Sequence, residues 1–345
     1  MKLIKILTLM IVLASVLALG ASGLGVYFNT PPNPPAAGEE GTGEYFRISR
    51  GETAGEIARS LEDRGLIRSA LAFTLFSRLK GSGRAMKAGY YLIPPGAALV
   101  EIHDLLLKGS TLLYRVTIPE GWTAGQIARR LSEEGICGEE EFLEALRDPA
   151  SLREWGIEGG FAEGFLYPDT YYFPPEFPPG RAAGVMIGGF FEALGRILQG
   201  EALPQGGPLY EKVILASIVE REYRIPGEAA LMAGVFYNRL REGIPLGSCA
   251  TVAYIITDIQ GKPHPERILY SDLEIRDPYN TYIFRGLPPA PISNPGEVSL
   301  RAAFFPEESD YYYFLLKDPQ AGQHVFTRTL SEHDRAYNLY IKTSG

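Results

Sequence analysis

Cysteine is nearly missing from this chain, with Cys137 and Cys249 alone among 345 residues. That excludes a disulfide framework, though not a single bridge. Histidine is scarce as well, and His103, His264, His324 and His333 form no His-x-x-x-His pair. The ligand spacing of a zinc site is therefore lacking, and neither a metal nor another cofactor is expected. Excess positive charge is lacking too: 33 Lys and Arg stand against 41 Asp and Glu, a net charge of −8. This balance speaks against a nucleic-acid partner, whose phosphates need a basic surface. It also speaks against a body held on anionic lipid along a basic face.

What is present is globular composition, with 46% hydrophobic and 21% charged residues. The length exceeds one ordinary domain. Tyrosine is abundant, at 20 residues. It suits a surface that stacks on sugar rings, and equally the packing of strands and sheet edges.

Lys2 and Lys5 precede an uncharged, mostly apolar run, Ile6 to Phe28. About 20 residues span a hydrocarbon core, so the run is long enough to cross a membrane. Lysines before it and Glu39, Glu40 and Glu44 after it orient the body away from the cytoplasm. Ala18-Leu19-Gly20-Ala21 resembles a signal-peptidase site, but the run continues past it, which favours an uncleaved anchor over residues 1–28. A single-pass protein of the cell (inner) membrane with an extracytoplasmic body is expected. Residues 29–44, rich in Pro, Gly and Glu, read as a spacer.

Two segments then resemble each other at an offset of 70 residues. Ile48-Ser49-Arg50-Gly51-Glu52-Thr53-Ala54-Gly55-Glu56-Ile57-Ala58-Arg59 is matched by Ile118-Pro119-Glu120-Gly121-Trp122-Thr123-Ala124-Gly125-Gln126-Ile127-Ala128-Arg129. Each reads as strand, Gly turn, Thr N-cap and amphipathic helix. Thr53 with Glu56, and Thr123 with Gln126, make capping boxes. Gly65 and Gly135 suit the helix ends. The strand–turn–helix with Gly-Glu-Thr at its turn resembles the first half of a LysM glycan-binding module, and the same residues are equally a repeated unit without ligand. Further helices are expected over Ala70–Leu79 and Ala98–Leu107, with a strand at Ala88–Leu92.

The second half is organised around Val213-Ile214-Leu215-Ala216-Ser217-Ile218-Val219-Glu220. On a helix, Leu209, Val213, Ala216, Ser217 and Glu220 share one face. A Glu on a core-directed face is paired, neutral or held in a cleft with a raised pKa, and a protonated carboxyl near neutrality is what general-acid chemistry needs. An ion pair with Arg221 is the structural alternative. Gly164 to Pro174 reads as an extended aromatic loop carrying Asp169, a buried-looking acid, just after Glu163. Helices are expected from Arg181 to Gln199, from Glu228 to Glu242, and from Asn294-Pro295 through Ala303. Asn238 is a candidate ligand contact or a helix-to-loop bond. Tyr311–Leu316 and His324–Phe326 read as adjacent strands, and Ser331 as the cap of a terminal helix.

Taken together, Glu163-Gly164-Phe165-Leu166, Pro168-Asp169-Thr170-Tyr171, Ala216-Ser217-Ile218-Val219-Glu220, Phe236-Tyr237-Asn238-Arg239-Leu240, Tyr279-Asn280-Thr281-Tyr282, Gly286-Leu287-Pro288-Pro289 and Asn294-Pro295-Gly296 resemble the MltG (YceG-like) family. That family comprises membrane-anchored endolytic murein transglycosylases. The resemblance implies an α+β fold with a transmembrane helix, a small LysM-like α/β module over 45–110, and a catalytic domain over 111–345 that includes the second strand–turn–helix at 113–135. It implies a lyase that cuts the β-1,4 bond between N-acetylmuramic acid and N-acetylglucosamine, leaves 1,6-anhydro ends, and terminates nascent strand elongation. Peptidoglycan strands are the implied partner, with peptidoglycan synthases beside them. Glu220 takes the catalytic position. Ser217, Asn238, Thr251, Tyr279, Asn280, Thr281, Tyr282 and Asp169 are the candidate substrate-binding residues. One departure is visible: the family often shows Gln-polar-Asp-Pro before Thr-Val, where Gly247-Ser248-Cys249-Ala250 stands here. Hydrolysis with a second carboxylate from Glu163 or Asp169, and a non-catalytic peptidoglycan-binding scaffold, are the alternative readings.

Overall fold

The computed structural model describes residue 23 and residues 25–32, 43–109 and 113–340. Most of the expected anchor (1–28) and spacer (29–44) lies outside the described residues. Among the described residues no helix is long and apolar enough to cross a membrane. The chain divides into two units, 1–113 and 114–345, and is mixed α+β throughout.

In the first unit, β1 (Glu44–Ile48) pairs antiparallel with β2 (Gly89–Ile93), with Phe46 opposite Tyr91. Alternation buries Phe46 and Ile48 of one strand and Tyr91 and Ile93 of the other, as a half-buried strand requires. Between them run α1 (Ala54–Asp63) and α2 (Ala70–Leu79), and α3 (Leu99–Lys108) follows. Ile57, Ala58 and Leu61 of α1 meet Phe73 of α2 and Ile102 and Leu106 of α3 in one core. Both halves of the Thr53–Glu56 capping box form.

The second unit begins on the same plan. Strand β3 (Tyr114–Thr117) leads into α4 (Ala124–Glu133), capped by the Thr123–Gln126 box. Then come α5 (Glu139–Ala145) and α6 (Pro149–Glu154), and β4 (Thr170–Phe173) returns to pair antiparallel with β3. The repeat is thus longer than its sequence signal: the closing strands β2 and β4 correspond as well. Part of the expected aromatic loop is β4, and its Asp169 is exposed, not buried. The carbonyl of Asp169 accepts from Ile118 N at 2.9 Å, so this residue sits at the end of a ladder with its side chain in solvent.

Then α7 (Pro179–Leu198) leads to α8 (Gly207–Glu222), followed by a 3₁₀ turn at Pro226–Glu228 and α9 (Ala229–Arg241). Every residue of α8 from Val213 to Val219 is buried. The single apolar face expected for this helix understates it: α9, α10 (Cys249–Tyr254) and α11 (Glu297–Phe304) all pack on it. Helix α11 starts at Glu297 with Gly296 as its N-cap, so Asn294 is not the helix cap that its place before Pro295 suggests. Strands β5 (Tyr313–Asp318) and β6 (Gln323–Thr327) form an antiparallel hairpin. Against it lies α12 (Leu330–Tyr340), whose first turn is held by Thr329 Oγ1 and not by Ser331. Both cysteines are free thiols.

Candidate active site

Glu220 stands in the last turn of α8, where an apolar run gives way to polar residues. Its Oε2 accepts from Gly296 N at 2.9 Å and from the Ser299 hydroxyl. Both donors belong to the first turn of α11. Burial is the main influence and pushes the Glu220 carboxyl above its usual range, while the two donors pull it back. The carbonyl end of α8 disfavours negative charge in the same direction as burial. Glu120 adds to the upward push.

Sequence reasoning missed Glu120. It lies in the Pro119-Glu120-Gly121 turn between β3 and α4, in the repeated segment. A methyl group at Gly296 would overlap its carboxylate, so Glu120 and Glu220 approach one glycine from two sides. Gly121, at φ 75°, keeps this turn tight on α8. Its N–H donates to Asn294 O at 2.9 Å, its carbonyl accepts from Arg221 Nη1 at 2.9 Å, and a methyl here would stand 3.5 Å from Glu220 Cγ. The available signal was the Gly turn itself, since a glycine with left-handed backbone commonly marks a close approach. Arg221 Nη1 therefore binds a backbone carbonyl, and the ion pair given as the structural alternative for Glu220 is not formed, although the Arg221 charge still draws the Glu220 carboxyl downward. Tyr223 follows α8 and feels both Glu220 and Glu120, with burial the main reason its phenol is shifted upward.

Behind the site sits Glu163, 1% exposed. Ala124 N, at the start of α4, donates to both of its oxygens at 2.9 and 3.0 Å, and Asn294 Nδ2 donates to Oε1 at 2.7 Å. Asn294 Oδ1 accepts from Gly164 N and Leu166 N at 2.9 and 2.8 Å, and its Nδ2 also reaches Trp122 O at 3.0 Å. Three separate segments, 122–124, 163–166 and the one carrying Asn294, are thereby joined by two side chains. Burial drives the Glu163 carboxyl up to about 8, against the pull of these N–H donors. This latch fixes the Gly121 turn and the Gly296 N–H, the two backbone pieces that touch Glu220.

The remaining candidates separate. Ser217 is fully buried. Its hydroxyl donates to Ile214 O at 2.7 Å and accepts from Ile292 N at 3.0 Å, and its carbonyl accepts from Ser293 at 3.1 Å. It bolts the 292–294 segment onto α8 and offers no surface to a ligand. Asn238 makes helix-to-loop bonds, to Ser309 O at 2.8 Å and Tyr311 O at 2.9 Å. Thr251, Asn280 and Thr281 are brought together and buried. Thr281 Oγ1 meets Thr251 Oγ1 and Ser248 N at 3.0 Å each, and Asn280 Nδ2 holds Leu273 O and Ile275 O at 2.9 and 2.8 Å. Tyr279 turns toward Tyr254, with ring centroids 5.2 Å apart, and burial pushes its phenol up to about 12. Tyr282 is exposed, its hydroxyl 3.0 Å from Cys249 Sγ. Where the family's Gln-polar-Asp-Pro stretch is replaced, Ser248 donates to Glu222. Glu222 thus faces a different wall from Glu220, as its two-residue offset on a helix dictates.

What the arrangement offers is a carboxyl raised above its usual range by burial, with two donors ready for its charged form and the Glu120 carboxyl close by. The family model described as the YceG-like family matches residues 46–338. The endolytic murein transglycosylase of Bacillus subtilis (strain 168) is 31% identical over 329 residues, spanning 90% of this chain and 88% of that protein. That of Streptococcus pneumoniae (strain ATCC BAA-255 / R6) is 28% identical over 318 residues, spanning 84% of this chain and 56% of that protein. The solved structure of a yceG-like protein from Listeria monocytogenes superposes with a TM-score of 0.56 at 29% identity, covering 85% of this chain and 99% of that one.

Proposed function

The chain belongs to the YceG-like family, and on that premise we propose that it is an endolytic murein transglycosylase with Glu220 as its acid–base residue. The observation that carries the assignment of Glu220 is its environment: a half-enclosed carboxyl raised by burial, with Gly296 N–H and the Ser299 hydroxyl aimed at one oxygen. A protonated acid can give its proton to the glycosidic oxygen as the bond between N-acetylmuramic acid and N-acetylglucosamine breaks. The carboxylate that results is stabilised by the two donors. It then accepts the proton of the muramic acid 6-hydroxyl as that oxygen closes onto C1, giving the 1,6-anhydro end. One group serves in both steps, and such help is worth typically about 10²–10⁴-fold.

A second reading is favoured by one observation, the position of Glu120. A neighbouring carboxylate that activated water would make the enzyme a hydrolase. Of the acids first considered for that role, Glu163 is locked in the interior and Asp169 points into solvent. The apolar run ending at Phe28 supports a membrane-tethered body outside the cytoplasm, within reach of peptidoglycan synthases. The strand–helix–helix–strand order of residues 44–93 supports the LysM-like reading of the first unit.

The test is digestion of purified glycan strands by the wild type and by Glu220→Gln, with the new ends identified by mass. Anhydro-muramyl ends from the wild type and none from the variant are expected. Reducing ends would make the protein a hydrolase, and unchanged strands a binder. Near-normal turnover by the variant would remove Glu220 from the mechanism.

A further inference from the structure

The whole-chain charge hides a local reversal. From Arg64 to Val100 there is no Asp or Glu, while Arg64, Arg68, Arg78, Lys80, Arg84 and Lys87 supply six positive charges. At the centre of this stretch lies α2. Its inner side is buried through Phe73 and Ser77. Its outer side carries Leu71, Leu75 and Leu79 at 79, 55 and 80% exposure. At i, i+4 and i+8 these leucines form one stripe, about 12 Å long at 1.5 Å per residue, and exposed Arg78 and Lys80 stand at its far end.

An apolar stripe flanked by cations on a short helix has the composition of an interfacial segment. The chain before it supplies a second, independent pointer. The uncharged run Ile6 to Phe28 ends beside α2: Arg68, one residue before the α2 N-cap, donates to Thr30 O at 3.0 Å and Pro31 O at 2.9 Å and lies over the Tyr27 ring at 5.1 Å. Asn29 Oδ1 accepts from Val100 N at 3.0 Å. Val26 and Tyr27 are themselves exposed, an aromatic–aliphatic pair suited to a membrane boundary. The end of the apolar run is therefore fastened to the unit that displays the leucine stripe.

We infer that α2 lies on the surface of an anionic lipid bilayer, with Leu71, Leu75 and Leu79 in the boundary between headgroups and acyl chains and the exposed Arg78 and Lys80 among the headgroups. The inference rests on the membrane-tethered reading above and adds to it a fixed face of the first unit.

The test uses the full chain in phosphatidylglycerol vesicles with brominated acyl chains, carrying Leu75→Trp or, as second variant, Leu79→Trp. The fluorescence of Trp122 and Trp155 is measured in the parent protein and subtracted. Val26→Trp reports the tether alone. Quenching of the indoles introduced at positions 75 and 26 by at least about twofold is expected, with quenching at position 75 weakened in phosphatidylcholine or high salt. Quenching at position 26, with the indoles at positions 75 and 79 fully water-exposed, would overturn the inference and leave the tether standing. Loss of quenching at all three positions would overturn both. Shielding of position 75 without lipid, rising with protein concentration, would overturn it in favour of a second copy on the stripe. Shielding only by an added acidic protein would overturn it in favour of that partner.

Discussion

Glu163→Gln isolates the charge of the buried latch from its shape. In the folded protein, burial raises the Glu163 carboxyl from its ordinary 4.5 to about 8. A folded pKa above the unfolded one means that the native state holds a proton the unfolded chain has released. The stabilising contribution is complete below about pH 4.5 and is lost as pH rises through about 8. Each unit of separation is worth about 1.4 kcal/mol. Between pH 5 and pH 8 the wild type should lose about 3–4 kcal/mol relative to a variant that cannot ionise. Gln keeps one acceptor for Ala124 N and Asn294 Nδ2, but sets an NH₂ where Oε2 faces the Ala124 N–H at 3.0 Å. A mismatch of this kind costs about 1–3 kcal/mol at all pH values. The variant should therefore be the less stable protein at pH 5 and the more stable at pH 8. Urea unfolding at pH 5, 6, 7 and 8 measures this, followed by the fluorescence of Trp122, whose carbonyl lies inside the latch. Other titrating groups are common to both proteins and cancel in the difference. A stability difference that stays constant across that range would show that Glu163 ionises normally in the fold, and the burial argument would fail.

Two neighbours should move the titration of Glu220 in opposite directions. Glu120→Gln removes a nearby negative charge and should shift the alkaline limb of the pH–rate profile to lower pH, whereas Ser299→Ala removes a donor to the carboxylate and should shift it higher. Unchanged profiles in both would detach that limb from Glu220. Gly164→Ala should destabilise by about 2–5 kcal/mol, because φ is +90° and the new methyl would lie 2.6 Å from Pro291 and 2.8 Å from Val213 Cγ1. A change in urea midpoint equivalent to less than about 1 kcal/mol would show that the 164–166 segment yields easily.

The sequence by itself determined what depends on neighbours along the chain. Capping boxes at Thr53 and Thr123, left-handed glycines after α1 and α4, the extent of α2, and the β5–β6 hairpin all follow from spacings of a few residues. A short spacing fixes which backbone groups can reach which side chain, whatever surrounds them. The ordered motifs likewise singled out Glu220. Only the tertiary structure decided what lies beside it. Gly296 reaches Glu220 across 76 residues, Asn294 reaches Glu163 across 131, and Ala124 reaches it across 39. Asp169 and Glu163 are both acids in one aromatic stretch, and no local pattern says which is buried. Packing puts Glu163 under the start of α4 and leaves Asp169 at a strand end in water. In the same way Ser217 and Asn238 look like ligand contacts in sequence but meet backbone carbonyls and amides in the fold, because a buried polar side chain must be satisfied by whatever chain the fold brings to it. Glu120 shows the converse. It is an unremarked acid in a Gly turn until β3 pairs with β4 and α11 crosses α8, which together bring that turn to the mouth of the site.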